Sequence, residues 1–100
     1  MDKIFMVGVP YSGCEYKSEL PCTREDEACA IAAGAVLAGI KAEVFMQESG
    51  FANTINVMCT LNMPYKIRVF GHISSRTEPE HHKYMAAMTR HIAEVLHETI

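Results

Sequence analysis

The sequence has no excess of positive charge and no long apolar segment, and both absences exclude classes of function. Nine lysines and arginines stand against twelve acids, for a formal net charge of -3. They form no basic stripe that could neutralise a nucleic-acid backbone, so no nucleic-acid partner is expected. The uncharged run of small and apolar residues at 28–40 is too short to span a bilayer. The N-terminal residues also lack the pattern of a signal peptide, which predicts no membrane association and a cytoplasmic location.

CxxC pairs and internal repeats are absent as well. The four cysteines, Cys14, Cys22, Cys29 and Cys59, are therefore interpreted as free thiols that mostly pack in the interior. The histidines show no i, i+4 pair of the kind that binds zinc on a helix, so no metal site is predicted. What is present, 49% apolar and 21% charged residues in a chain of 100, is typical of a single globular domain over residues 1–100.

Apolar strand patterns alternate with helical ones along the chain. Strands are predicted at residues 4–9, 42–46 and 67–73, with a weaker one at 19–22. Helices are predicted from Thr23 to near Gly39, over 52–61, and from Pro79 almost to the end. In the last helix Met85, Met88, Ile92 and Val95 or Leu96 recur at spacings of three and four, which predicts a stripe that faces the core.

This alternation favours the α/β class, as a three-layer αβα fold with a small, mostly parallel sheet. In such sheets ligands bind at the carboxyl ends of the strands. The loops that should carry a site are therefore residues 10–13, 23–27, 47–53 and 74–78.

One of these loops, with the sequence TREDEACAIAAGA from Thr23, places three acids directly before a run of small residues. Small residues on nearly every face of the helix indicate close packing on both sides. In one interpretation the helix is wedged between the sheet and a partner subunit, with Thr23 as N-cap and the acids complementing the helix dipole. In the other, one acid is held in a poorly solvated place to exchange a proton with a ligand.

The motifs of the chain together resemble a known family, the pyrimidine-binding domains of thiamine-diphosphate enzymes. Within it they are most similar to the α subunits of sulfopyruvate decarboxylase and to phosphonopyruvate decarboxylases. The resemblance is carried, in order, by VGVP from Val7, TREDEACAIAAGAVLAG from Thr23, MQESGFANTINVMCTLN from Met46, Tyr65-Lys66-Ile67 and Ile73-Ser74-Ser75-Arg76. It covers most of the chain up to Arg76, and the chain is expected to be a version of this domain shortened at both ends.

The resemblance implies thiamine diphosphate as cofactor and Glu25, nine residues before Gly34, as the acid that activates it. In that role the Glu25 carboxyl group hydrogen-bonds N1′ of the aminopyrimidine and so helps to deprotonate C2 of the thiazolium ring. Gln47, Ser49, Gly50 and Asn53 correspond to the family's loop beside the pyrimidine ring and the substrate. The family's Ser-Gly-x-Gly-Asn turn has Ala52 in place of its second glycine here. Without the resemblance, this loop would be interpreted as a polar strand-to-helix turn capped by Ser49.

The family binds Mg²⁺ and the diphosphate through a Gly-Asp-Gly motif followed by Asn, in a second domain, and this sequence has no such motif. The resemblance therefore implies a separate β subunit as partner and an active site at the subunit interface, in a homo- or hetero-oligomer. The expected reaction is decarboxylation of a small anionic 2-oxo acid, 3-sulfopyruvate, to sulfoacetaldehyde and CO2. Arg24, Arg68 and Arg76 are candidates to pair with the substrate's sulfonate, since guanidinium groups suit such oxygens.

Three alternatives remain open at this point. The first is a subunit similar to phosphonopyruvate decarboxylase. The second is a degenerate, non-catalytic domain of the same type that acts in assembly. The third is an unrelated small flavodoxin-like domain that binds another ligand.

Overall fold

The computed structural model describes residues 3–74 and 81–99. These residues form a three-stranded parallel sheet with helices between the strands. The strands are β1 (Phe5–Gly8), β2 (Ala42–Gln47) and β3 (Phe70–Ser74), in the order β1-β2-β3 with both pairings parallel. The helices within the described residues are α1 (Glu25–Leu37), α2 (Glu48–Phe51), α3 (Ile55–Val57) and α4 (His81–Thr99), with a 3-10 turn at Ala52–Thr54 and a π-helical turn at Met58–Asn62. The predicted α/β class is confirmed, and the architecture is consistent with the three-layer arrangement.

The core lies between the sheet and α1. Val7 of β1 is aligned with Val44 of β2, and both side chains are buried against the helix. On the helix side the contact is made by small residues, with Ala28 and Ala32 fully buried. Since alternate residues of a strand face opposite sides, Phe45 points to the other face of the sheet, where its ring stacks on Tyr16 with centroids 5.5 Å apart.

The segment between β1 and α1 does not form the strand predicted at residues 19–22. Only one backbone hydrogen bond joins it to the sheet in the described residues, from Glu19 N–H to the Met6 carbonyl at 2.9 Å. Pro21 has no N–H to continue a ladder, which explains why the pairing stops there. The segment instead runs along the outer edge of β1 and satisfies it with side chains.

A helical segment follows β2 as predicted, but it is longer and less regular than a single α-helix over 52–61. It runs from Glu48 to Asn62 and changes between α, 3-10 and π geometry. Two side chains compete with the backbone for its carbonyl groups: Thr54 Oγ1 donates to the Phe51 carbonyl and Thr60 Oγ1 to the Asn56 carbonyl, both at 2.7 Å. Such bonds offer the backbone an alternative to the regular helical ladder.

Strand β3 begins three residues later than predicted. Ile67 is buried, yet its N–H donates to the Asn62 carbonyl at 2.8 Å, so it closes the preceding turn instead of joining the sheet. Lys66 enters this turn with a positive φ of 55°, a rare conformation for a residue with a side chain.

The stripe predicted along α4 is only partly correct. Ile92 packs against the core and Met85 is half-buried, but Met88 and Val95 are exposed. Thr89 takes the buried position, where its hydroxyl donates to the Glu48 carbonyl at 3.3 Å. The side chain of Leu96 lies outside the described residues. No helix in the described part of the chain is long and apolar enough to cross a membrane.

Close approach of β1 and β2 gives a test of the packing. A Cβ atom on Gly8 would overlap the Phe45 carbonyl oxygen and lie 2.7 Å from Phe45 Cγ. We expect Gly8→Ala to lower the free energy of unfolding by about 1–3 kcal/mol, because neither the strand nor the buried ring can move away cheaply. Urea denaturation measures this change. Gly71→Ala is the matched control, since its Cβ would make an ordinary contact of 3.6 Å with Val44; an equal loss in both variants would contradict the explanation.

Candidate functional site

The carboxyl edge of the sheet brings together Glu25, Gly50 and Asn53. Glu25 is the first residue of α1, and Gly50 lies in α2, which begins directly where β2 ends. Asn53, in the turn that follows, donates from Nδ2 to Glu25 Oε1 at 3.1 Å. Residues 28 positions apart in the chain thus form one polar cluster at the edge where ligands bind in parallel α/β sheets.

The Glu25 carboxylate packs directly against the backbone of Gly50. The Gly50 backbone is buried, and a Cβ atom there would overlap the carboxyl group of Glu25. A side chain at position 50 would therefore displace the carboxylate. Asn53 holds one carboxylate oxygen while Gly50 fixes the position of the other, so the acid has a defined orientation.

The other two acids of the loop, Asp26 and Glu27, form hydrogen bonds with neighbouring residues and not with residues 50–53. Arg24 Nε and Nη2 donate to the two oxygens of Asp26 at 3.0 and 3.3 Å, and this hydrogen-bonded guanidinium lowers the pKa of the Asp26 carboxyl group. Glu27 Oε1 accepts the Thr23 N–H at 3.1 Å. The prediction of Thr23 as N-cap is wrong: Arg24 holds that position without a side-chain bond, and in the first turn the Glu27 N–H donates to Asp26 Oδ1 at 2.9 Å.

Gln47 and Ser49 lie in the same loop but differ in burial. Ser49 is exposed and makes no cap of α2, whose N-cap is Gln47. The Gln47 side-chain nitrogen Nε2 is buried and has no hydrogen-bond partner among the described residues. A buried donor left unpaired is costly unless a bound group satisfies it. Ala52, at the place of the family's second glycine, has helical angles (φ -60°, ψ -25°) that alanine adopts freely.

Two of the three arginine candidates lie within the described residues, and they do not lie together. Arg24 is exposed and engaged with Asp26, and Arg68 precedes β3, at the amino edge of the sheet. Because the strands are parallel, this edge is opposite to the one that carries Glu25. Arg76 lies outside the described residues.

A second polar cluster, on the other face of the sheet, was not predicted from the sequence. The Tyr16 hydroxyl lies 3.1 Å from His72 Nδ1, and His72 Nε2 lies 2.7 Å from Glu43 Oε1. The Tyr16 ring also contacts the His72 ring, with centroids 4.7 Å apart. Near it, burial raises the pKa of Tyr11, whose hydroxyl bonds Ser74. Tyr16 and His72 are 56 residues apart, so no local pattern could have indicated the pairing.

No family model matches the chain, but curated relatives do. It is 46% identical over 57 residues to sulfopyruvate decarboxylase subunit alpha of Methanocaldococcus jannaschii, which is 57% of this chain and 34% of the relative. With the subunit of the same name from Methanothermobacter thermautotrophicus it shares 37% identity over 78 residues, 77% of this chain and 47% of the relative. The chain is similar to sulfopyruvate decarboxylase α subunits. This confirms the resemblance inferred from the sequence motifs.

A third relative of the same name, from Methanococcus maripaludis, is 42% identical over 57 residues, 57% of this chain and 34% of the relative. The chain thus spans between about a third and about half the length of the curated relatives it matches. All three relatives are named as α subunits of one decarboxylase, so the three matches agree on the same family.

Gly50→Ala tests whether the glycine positions the Glu25 carboxylate. The added methyl group meets the end of a flexible side chain, so we expect the free energy of unfolding to change by less than about 1 kcal/mol. The Glu25–Asn53 hydrogen bond should nevertheless break, which the side-chain amide resonance of Asn53 in a ¹⁵N spectrum would report. Ser49→Ala, at the exposed neighbour, should leave that resonance unchanged. An unshifted resonance in the Gly50 variant would contradict the arrangement.

Cys29 gives a test of the electrostatics of α1. Burial, and secondarily the negative charges of Asp26 and Glu25, raise the pKa of Cys29 to about 11. At pH 8, on the order of one Cys29 side chain in a thousand is then in the reactive thiolate form. Exposed Cys59 should react first with a disulfide reagent, and Cys29 only after unfolding. Cys59→Ser should remove the fast phase; a fast phase that instead disappeared in Cys29→Ser would refute the prediction.

Proposed function

We propose that this chain supplies the pyrimidine-binding half of a thiamine-diphosphate-dependent 2-oxo acid decarboxylase. The observation that carries the proposal is the Glu25 carboxylate, held at the start of α1 between the Asn53 amide and the Gly50 backbone. Cofactor activation of this type requires a protonatable oxygen at a fixed place on a rigid element. The similarity to sulfopyruvate decarboxylase α subunits supports the same reaction class.

The residues present fit the cofactor's aminopyrimidine. Glu25 Oε2, the oxygen that does not bond Asn53, would exchange a proton with ring atom N1′. The unpaired buried Nε2 of Gln47 is a donor available to a ring or substrate acceptor. When bound, thiamine diphosphate supplies the electron sink that decarboxylation requires. Asn53 is a positioning residue, because it acts on the reaction through the orientation of Glu25.

The substrate proposed is 3-sulfopyruvate, converted to sulfoacetaldehyde and CO2, as the name of the relatives suggests. A phosphonopyruvate-type substrate uses the same chemistry and differs only in its anionic tail. Among the described residues, Arg24 is the candidate cation closest in sequence to Glu25, and it already bonds Asp26. Recognition of the tail would therefore depend on Arg76 or on the partner.

The proposal includes a partner subunit. These 100 residues have no Gly-Asp-Gly motif for Mg²⁺ and the diphosphate, so a partner domain or subunit would have to bind that part of the cofactor. The relatives are named as α subunits, which supports this division of the site. The domain is accordingly proposed to be a single pyrimidine-binding unit over residues 1–100.

Glu25→Gln tests the proposal in the complex of this chain with its co-expressed partner. Glutamine keeps the shape but cannot exchange the proton, so turnover of 3-sulfopyruvate should fall by about 10²–10⁴-fold. Exchange of the cofactor's C2 proton for deuterium, followed by NMR, should slow in parallel, whereas binding of thiamine diphosphate with Mg²⁺ persists. Glu27→Gln, in the same helical turn, is the matched control and should retain both activities. Unchanged turnover in Glu25→Gln would remove Glu25 from its assigned role.

The assembly alternative makes a different prediction for the same complex. A non-catalytic domain would bind the partner, but the complex would neither bind thiamine diphosphate nor exchange its C2 proton. A titration of the wild-type complex with cofactor and Mg²⁺ therefore separates the two functions before any variant is made.

A further inference from the structure

The two edge strands of the sheet differ in whether their outward-facing backbone groups are hydrogen-bonded. At β1 the segment that precedes α1 satisfies the exposed backbone. Met6 N–H donates to Glu19 Oε2 at 3.0 Å, Gly8 N–H donates to Ser18 Oγ at 3.2 Å, and Glu19 N–H donates to the Met6 carbonyl. A further strand is thereby excluded from this edge.

The opposite edge, at β3, is open in the described part of the chain. There, only β2 exchanges backbone hydrogen bonds with β3. Phe70 is 65% exposed and Ile73 37% exposed, on opposite faces of the strand. The strand FGHIS also has no lysine, proline or acid, the residues that usually prevent an edge from pairing with another chain.

The amino end of β3 opens into a groove whose charge differs from that of the rest of the molecule. The groove has a volume of about 1210 Å³. Its walls are largely apolar, formed among others by Val36, Ile40, Met58, Met63, Ile67 and Val69. Three cations line it, Lys41, Lys66 and Arg68, against one acid, Glu43, which is already bonded to His72. In a chain of net charge -3, this is a local positive surface.

Asn62 adds an unpaired acceptor to the same groove. The residue is 9% exposed, and its Nδ2 donates to the Ile67 carbonyl at 3.4 Å. Its Oδ1 is buried and has no partner among the described residues. A buried acceptor of this kind is satisfied when a bound N–H group reaches it.

We propose that the β3 edge and the groove together bind an extended segment of a partner polypeptide, which adds to the sheet as a fourth strand. Its backbone would pair with Phe70–Ser74, its alternating apolar side chains would cover Phe70 and Ile73, and carboxylates at one end would meet Lys66 and Arg68. Strand addition of this type obtains affinity from main-chain bonds and specificity from side-chain sites. A second copy of this chain fits less well, because it would bring the same cations to the edge and its own acidic cluster lies on a helix.

Peptide binding to the ¹⁵N-labelled chain tests this proposal. The probes are blocked peptides of alternating valine and threonine with two aspartates at one end or the other, and matched peptides with lysine in place of aspartate. An aspartate peptide should shift the amide resonances of Phe70–Ser74 and bind at least tenfold more tightly than its lysine counterpart. A version N-methylated at alternate residues should lose binding, because it cannot complete the ladder.

Arg68→Glu should weaken binding of the aspartate peptide while binding of the lysine peptide is retained or strengthened, a combination that loss of folding cannot imitate. Arg90→Glu, at an exposed arginine of α4, is the matched control and should keep the preference. Equal binding of aspartate and lysine peptides, undiminished binding of the N-methylated peptide, or resonance shifts away from β3 would each overturn the proposal. Self-association of the wild type in sedimentation, with the β3 amides protected in the absence of peptide, would overturn it in favour of a second copy.

Discussion

The close packing of α1 on β1 and β2 is the contact on which the rest of the structure depends. Ala28 and Ala32 are fully buried there. These small side chains pack in one cluster with Val7 and Val44 of the strands. Small residues let the helix approach the sheet closely, and interiors packed at this density resist displacement. Since α1 begins at the carboxyl edge of the sheet, this packing places its first residue, Glu25, at that edge.

The three acids at the start of α1 look equivalent in the sequence but have different surroundings in the structure. Glu25 is turned toward Gly50 and Asn53, whereas Asp26 is paired with Arg24 and Glu27 with the Thr23 backbone. Their difference arises from direction around the helix, because successive residues are about 100° apart. Only one of the three therefore faces the loop after β2, and that one is the acid proposed to exchange a proton with a ligand.

Local patterns in the sequence predicted much of this framework. The apolar runs located β1 and β2, and the acids before small residues located α1 within two residues of its observed start. The motif resemblance selected Glu25, Gly50 and Asn53, which the fold brings together, and Gln47 and Ser49, which lie in the same loop. What could not be predicted depends on distant contacts. Ile67 is apolar and β-branched like a strand residue, yet its bond to Asn62 removes it from β3. The hydrogen bonds that connect Tyr16, His72 and Glu43 join three distant segments, so no local pattern in the sequence indicates them.

Under the proposed function, the distribution of cations bears on how the substrate would be bound. A sulfonate or phosphonate tail in a low-dielectric cleft requires a positively charged partner. Within the described residues, the Arg24 guanidinium beside the site is bonded to the Asp26 carboxylate, and Arg68 is at the far edge of the sheet. Glu25 itself would repel an anionic substrate. The proposed function therefore requires positive charge from elsewhere, and the Mg²⁺ and diphosphate-binding partner is the component expected to bring it.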